Sequence, residues 1–244
     1  MYFSLGIAIG LLGVIYYRSK IKINPILLNG LIVLSFIYNL MLFARAPLFI
    51  FLVLLIIVML KNKHLKMFLV LLVLSSALLT IFNKESYNFQ RLLINSENSD
   101  VANRIKLNRV SWEIFKSSPF FGVGPDRIRY ERLDGYRKIG HTSAYKYTYN
   151  SHNQYFNYLS VNGLLGFSVF IFMVLYSLYI LMKNRQWLLL LCFLLFYLSC
   201  LSESYLSRNK GIVIFSLLTV LFLTNNISVF QKNGERNKKN LADK

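Results

Sequence analysis

Three side chains in this sequence could together catalyse the displacement of a phosphate leaving group by a hydroxyl group. His152 can accept a proton at ordinary pH through a neutral imidazole. Arg45 and Arg104 stay charged and can each bind two oxygens of one phosphate group. Displacing a diphosphate from carbon is helped by a base for the incoming hydroxyl and by cations for the leaving group.

Each candidate also has a purely structural explanation. Arg45 lies in a short turn between two apolar runs, so it could bind phospholipid headgroups instead of a diphosphate. Arg104 could be a solvated cation on a helix face. Asn153 could orient His152 or substrate, but could equally cap the following helix. Glu203 and Arg208 could bind substrate at the outer surface or form an ion pair between helices.

The elements that must position these residues are those of a helical membrane protein. Hydrophobic residues make up 55% of the 244 residues, and the mean hydropathy is +0.47. A helix needs about 20 predominantly apolar residues to cross a bilayer. We therefore predict an all-α, polytopic membrane protein with about seven transmembrane helices, near residues 2–17, 25–43, 46–60, 67–82, 155–182, 186–201 and 211–224.

The basic residues predict how these helices are oriented. Short loops on one side carry Lys and Arg, and the positive-inside rule places that side in the cytoplasm. A loop of more than about 60 residues crosses regardless of its charge, so the long loop is predicted to be periplasmic. The predicted organisation is four helices in 1–82, the loop at 83–154, three helices in 155–224 and a basic cytoplasmic tail at 225–244.

The net charge of +18 does not indicate a nucleic-acid partner, because no basic patch belongs to a soluble nucleic-acid-binding fold. The cytoplasmic cations would instead favour anionic membrane lipids. Cys192 and Cys200 lie in the sixth apolar run with no metal-ligand spacing, so neither a metal site nor a disulfide is predicted.

The periplasmic loop is predicted to be partly helical. Asp100 offers a cap for a helix that ends near Ser117. The spacing of Val101, Ile105, Trp112 and Phe115 predicts that they form its apolar face.

A tight turn is predicted after this helix. Pro119, Gly122, Gly124 and Pro125 disfavour a continuous helix and indicate a rigid corner or an ordinary turn. The segment 126–149 that follows is rich in Tyr and basic residues, including Arg127. Its tyrosines suit either the membrane interface or stacking on sugar rings, and its arginines suit phosphate oxygens.

These elements resemble the O-antigen ligase and polymerase family of bacterial envelope glycosyltransferases. The strongest part of the resemblance is a P-x-x-G-x-G turn followed by an H-N-x10-G-x-x-G element. Weaker elements surround Arg45 and Glu203. The matching residues are Arg45, Arg104, Pro119, Gly122, Gly124, His152, Asn153, Gly163, Gly166, Glu203, Arg208 and Gly211.

The resemblance implies transfer of a glycan from an undecaprenyl diphosphate donor to an acceptor hydroxyl at the periplasmic face of the bacterial inner membrane. The acceptor would be lipid A core in a ligase and another lipid-linked glycan in a polymerase. The family is not known to need a metal or a nucleotide sugar, so no cofactor is expected. His152 would be the catalytic residue, with Arg45, Arg104, Arg127, Asn153, Glu203 and Arg208 in substrate binding.

Two departures from the family pattern keep alternatives open. Many relatives carry an acidic residue where this chain has Val161, and relatives usually have about ten or more spans, several of them N-terminal to those predicted here. The chain could therefore be an inactive or truncated member. A non-enzymatic transporter or flippase component for lipid-linked glycans is the other alternative, but its expected intramembrane charges are nearly absent from the apolar runs.

Overall fold

The computed structural model describes residues 2–21, residues 24, 26–27, 30–31 and 34–35, and residues 100–242. All regular structure in these ranges is helical, which confirms the all-α prediction. A 3-10 turn at Tyr205–Ser207 precedes the last helix. The helices are α1 (Tyr2–Ile21), α2 (Asp100–Ser117), α3 (Gly124–Lys138), α4 (Thr142–Lys146), α5 (Gln154–Lys183), α6 (Trp187–Ser199) and α7 (Asn209–Ala242).

One helix of the described part, α5, is long and apolar enough to cross a membrane. Only 22% of its most apolar window is buried, so most of that surface is free to face lipid. Shorter apolar helical stretches occur at Leu5–Val14 and Trp187–Ser199. The predicted second to fourth spans lie wholly or largely outside the described residues. The seven-helix topology therefore stays a prediction. The division of the chain into four parts, with boundaries at residues 82, 154 and 224, also stays a prediction.

The apolar helices share one core. Leu5, Leu12, Leu181 and Phe196 are almost fully buried in it. Around them, α1, α5, α6 and α7 pack together. This core fixes the ends of α5 and α6, from which the polar residues of the site project.

A second, smaller core joins α2, α3 and α4 and packs on the first half of α5. The limits of α2 agree with the predicted helix, but its predicted apolar face is wrong in part. Phe115 is buried, whereas Ile105 and Trp112 are 63% and 43% exposed.

The inward stripe of α2 contains Leu107, Val110, Ser111 and Ile114 instead. Arg104 lies one helical turn before this stripe, so the face that packs on the rest of the protein includes a cation and a hydroxyl. A search for apolar periodicity alone passes over such residues, which explains the error.

The predicted turn after α2 is inserted into a kink of α5. Gly163 has φ 60° and ψ −165°, which interrupts the helix and is a conformation that glycine alone adopts readily. At the kink, Leu164 N–H donates to the Pro119 carbonyl at 2.8 Å and Leu165 N–H to the Phe120 carbonyl at 3.2 Å. Val123 N–H donates to the Ser160 carbonyl at 3.1 Å, so the turn takes up hydrogen bonds that the helix loses.

The two halves of the sequence motif therefore meet backbone to backbone. A Cβ atom on Gly122 would overlap the backbone of Val161 and Gly163, and one on Gly163 would overlap Phe120 and Gly122. Glycine at both positions is required by this close approach as well as by their positive φ angles. The turn thus fixes α2 and α3 to α5 a short distance after the histidine.

Candidate functional site

His152 lies in a sharp turn at the start of α5. Its φ angle is +46°, an uncommon conformation for a residue with a side chain. The turn is held on both sides: His152 N–H donates to Asn150 Oδ1 at 3.0 Å, and the buried Ser151 hydroxyl donates to the Asn153 carbonyl at 2.8 Å. The imidazole is therefore presented by a backbone that its neighbours define.

Asn153 caps α5. Its Oδ1 accepts the N–H groups of Tyr155 and Phe156 at 2.9 and 3.2 Å, and its Nδ2 donates to the Leu201 carbonyl at 3.0 Å. The capping alternative is thus observed, and the same amide ties the histidine turn to the segment after α6. Both Oδ1 and Nδ2 of Asn153 are therefore hydrogen-bonded within the protein.

The carboxylate of Glu203 meets the imidazole of His152. Oε2 of Glu203 lies 3.0 Å from Nδ1 of His152, and the carboxylate pairs with this histidine instead of with Arg208. Because an ionised carboxylate only accepts hydrogen bonds, Nδ1 is the nitrogen that carries a proton, and in the neutral form of the ring Nε2 is then the acceptor. The Glu203 side chain is 9% exposed and the His152 side chain 25%, so the carboxylate supports the ring from the protein side.

Several neighbours keep Glu203 ionised. Burial alone would raise the pKa of this carboxyl group, but the hydrogen bond and charge of His152 act in the other direction. The Ser204 N–H, which donates to Oε1 at 3.1 Å, and the charge of Arg104 add to this effect. The net result is a pKa below the ordinary value, so Glu203 is an anion at neutral pH.

Arg104 reaches the same segment from α2. Its Nη1 donates a hydrogen bond to the carbonyl of Ser202, next to Glu203. The predicted site residues Arg104, His152, Asn153 and Glu203 are therefore brought together from three separate parts of the chain. One hydrogen bond to a carbonyl leaves the guanidinium with other N–H groups, which are suited to an anionic ligand.

Two other predicted residues, Arg127 and Arg208, are not part of this cluster. Arg127 is exposed on α3 and pairs with Glu131 at 3.0 Å, and Arg208 is exposed after the 3-10 turn. Arg45 lies outside the described residues.

Sequence reasoning missed a second polar group beside the cluster. The buried Arg132 of α3 donates from Nη2 to Asn157 Oδ1 at 2.5 Å, and Asn157 Nδ2 donates to the Ser207 hydroxyl at 2.9 Å. These two hydrogen bonds connect α3, α5 and the 3-10 turn. One signal was present, since Ile128, Arg132 and Tyr136 follow at i, i+4 and i+8 on the buried stripe of α3.

Aromatic rings continue the surface outward from His152. The ring of Tyr149 stands edge-on to the imidazole, with centroids 5.8 Å apart and an interplanar angle of 87°. Tyr147 stacks on Tyr149 at 6.1 Å and 19°. A nitrogen that can accept a proton, a supporting carboxylate and a cation thus lie close together, with exposed rings beside the imidazole, a combination that suits proton removal from a hydroxyl group.

A comparison with protein families finds one match to the chain. A family model described as O-antigen ligase matches residues 30–171, which is more than half of the 244 residues. Comparisons with curated proteins and with solved structures give no match. The matched range contains Arg104, the glycine turn and His152, and it ends before Glu203.

Proposed function

Because the chain belongs to the O-antigen ligase family, we propose that it is a membrane glycosyltransferase acting on a glycan carried by undecaprenyl diphosphate. In this proposal it crosses the bacterial inner membrane several times and presents the described loop to the periplasm. The acceptor is a hydroxyl group of lipid A core or of another lipid-linked glycan. The product belongs to surface polysaccharide biosynthesis.

The observation that carries the proposal is the pair formed by His152 and Glu203. A carboxylate 3.0 Å from Nδ1 selects the tautomer in which Nε2 is a base, and it stabilises the imidazolium that forms when the base takes a proton. A solvated surface histidine needs no such partner.

The proposed reaction is an inverting displacement. Nε2 of His152 takes the proton of the acceptor hydroxyl as its oxygen attacks the anomeric carbon of the donor. The bond from that carbon to the diphosphate oxygen breaks, and its electron pair leaves with the undecaprenyl diphosphate. The imidazolium, stabilised by Glu203 at Nδ1, then releases the proton from Nε2 to water.

Cations supply the charge that the leaving group needs. Arg104 is placed next to Glu203 and is proposed to bind the diphosphate, together with Arg45. The exposed Arg127 and Arg208 are assigned a weaker role, in attracting the anionic donor to the surface. Asn153 is assigned a positioning role, because it fixes the turn that carries His152.

The test is complementation of a strain that lacks the gene with His152→Ala. We expect surface polysaccharide made by this protein to fall by about 100-fold or more, the usual contribution of a general base. The amount of protein in the membrane should be unchanged, which immunoblotting of a tagged chain would verify. Normal polysaccharide at normal protein level would reject the catalytic assignment.

A further inference from the structure

We propose that Tyr147 and Tyr149 form a stacking subsite for a pyranose ring of the glycan, next to the proposed base. This aromatic subsite consists of these two rings, and the inference rests on the proposed function. The ligand class is a sugar ring with an apolar face of C–H groups. Such a face packs against an aromatic ring while its hydroxyl groups remain free for hydrogen bonds.

The arrangement of the rings supports this ligand. Tyr147 and Tyr149 are nearly parallel, at 19°, with their centroids 6.1 Å apart, so together they present a continuous apolar step. Tyr149 contacts His152 edge-on at 5.8 Å. A sugar ring held on this step lies within one or two ring diameters of the imidazole, the distance at which neighbouring residues of a glycan follow one another.

The step is held in place from beneath. Tyr136 is fully buried and its hydroxyl donates to the Tyr149 carbonyl at 3.1 Å. Burial raises the pKa of Tyr136 to about 12, despite the opposing charge of Arg132, so this phenol remains a donor. Tyr149 N–H donates to the Ala144 carbonyl at 3.1 Å. Rings on a fixed backbone lose little entropy when they bind.

The rings are nevertheless open to a ligand. Tyr147 is 61% exposed and Tyr149 is 37% exposed. Lys146 Nζ lies over the ring of Tyr147, 5.5 Å from its centroid. Its ammonium group can donate N–H hydrogen bonds to sugar hydroxyls. Exposed rings, fixed backbone and bordering donors are the features of a carbohydrate-binding surface.

A membrane interface is the competing occupant of exposed tyrosines. It would use the rings only as anchors, so any tyrosine on the loop surface would serve as well as Tyr147. Tyr130 is the matched control, because it is 73% exposed on α3 and is not among the rings that contact Tyr147, Tyr149 or His152.

The experiment measures binding directly. Surface polysaccharide purified from the strain is added to the detergent-solubilised protein, and saturation transfer from protein to sugar protons is recorded by NMR. We expect saturation transfer to the sugar protons from the wild type, from Tyr147→Phe and from Tyr130→Ala. For Tyr147→Ala we expect affinity to fall about three- to ten-fold, as for loss of one aromatic contact.

Two results would overturn the aromatic subsite. One is equal binding by the wild type and Tyr147→Ala; the other is an equal loss in Tyr147→Ala and Tyr130→Ala, which would indicate a general surface effect. His152→Ala separates this inference from the proposed function: this variant should still bind polysaccharide in the NMR experiment but should lose the glycosyl-transfer reaction. If it binds and still transfers, the catalytic proposal fails while the subsite stands.

Discussion

Glu203 holds Nδ1 of His152 at 3.0 Å, although the two residues lie 51 positions apart in the chain. The contact joins the start of α5 to the segment after α6. The sequence predicted a catalytic role for His152. For Glu203 it predicted either substrate binding or an ion pair with Arg208, and the structure pairs Glu203 with His152 instead. The most direct consequence of this contact concerns the role of the carboxylate.

Replacing Glu203 with Gln should impair the chemical step more than substrate binding. An amide cannot stabilise an imidazolium as a carboxylate does, so we expect the maximal transfer rate to fall about 10- to 100-fold with little change in KM. Assays of glycan transfer by isolated membranes at increasing donor concentration would measure both the maximal rate and KM. Glu203→Asp should recover part of the rate. A change confined to KM would instead indicate that Glu203 binds substrate.

Ionisation of Glu203 should also appear in the pH dependence of stability. Its pKa is held below the ordinary value of 4.5, so its charge adds stability above that pH, and this contribution is lost as the pH falls through the lowered pKa. Thermal unfolding of wild type and Glu203→Gln in detergent would measure it. The gap between their Tm values should be present at about pH 5 and should close as the pH falls below about 4. A gap that persists in acid would contradict this.

Arg104 should be far more sensitive to substitution than its helix neighbour Arg109. Arg104 is half-buried and donates to Ser202, whereas Arg109 is exposed. A lost hydrogen bond to a charged group is worth about 1.5–3 kcal/mol, so Arg104→Ala should lower transfer about 10- to 100-fold. Arg109→Ala should leave it within two-fold, as expected for about 0.4 kcal/mol or less. Equal effects of the two changes would argue against a specific role for Arg104.

The glycine contact between turn and helix predicts a strong stability effect. Gly163→Ala combines a positive φ with backbone overlap and should destabilise by about 2–5 kcal/mol. Gly140 is the matched control, because it has φ +66° but open space around its Cβ position, so Gly140→Ala should lose only about 1–2 kcal/mol. Protein levels and Tm values would compare them. Similar losses of stability in the two variants would mean that the positive φ angle, and not the backbone overlap, causes the destabilisation.

The periplasmic placement of the loop can be tested by labelling. Lys138 on α3 and Lys183 at the end of α5 are both exposed, and the two native cysteines are buried. In intact spheroplasts, Lys138→Cys should react with a membrane-impermeant maleimide, and Lys183→Cys only after permeabilisation. The reverse pattern would place the loop in the cytoplasm and remove the basis of the proposed reaction.

Local sequence patterns predicted what local chemistry determines. The limits of α2 and the turn at Pro119 follow from a cap, prolines and glycines, and the structure agrees with them. His152 and Arg104 were recognisable because their motif has a characteristic spacing.

Contacts across the chain were not predictable from the same patterns. The partnership of Glu203 with His152 depends on how α5 and α6 end beside each other, and nothing near either residue encodes it. Arg132 was passed over because a cation on a helix is normally solvated, whereas the guanidinium of Arg132 is buried and donates a hydrogen bond to Asn157. The inward face of α2 was misplaced for the same reason.

The portion of α5 ahead of Gly163 is fastened at both ends. Asn153 secures its first turn to Leu201, and the Val123 N–H secures its last turn through the Ser160 carbonyl. It therefore acts as a short strut between the glycine corner and the imidazole. Any displacement of that corner would therefore be passed along this segment to the backbone that carries the imidazole.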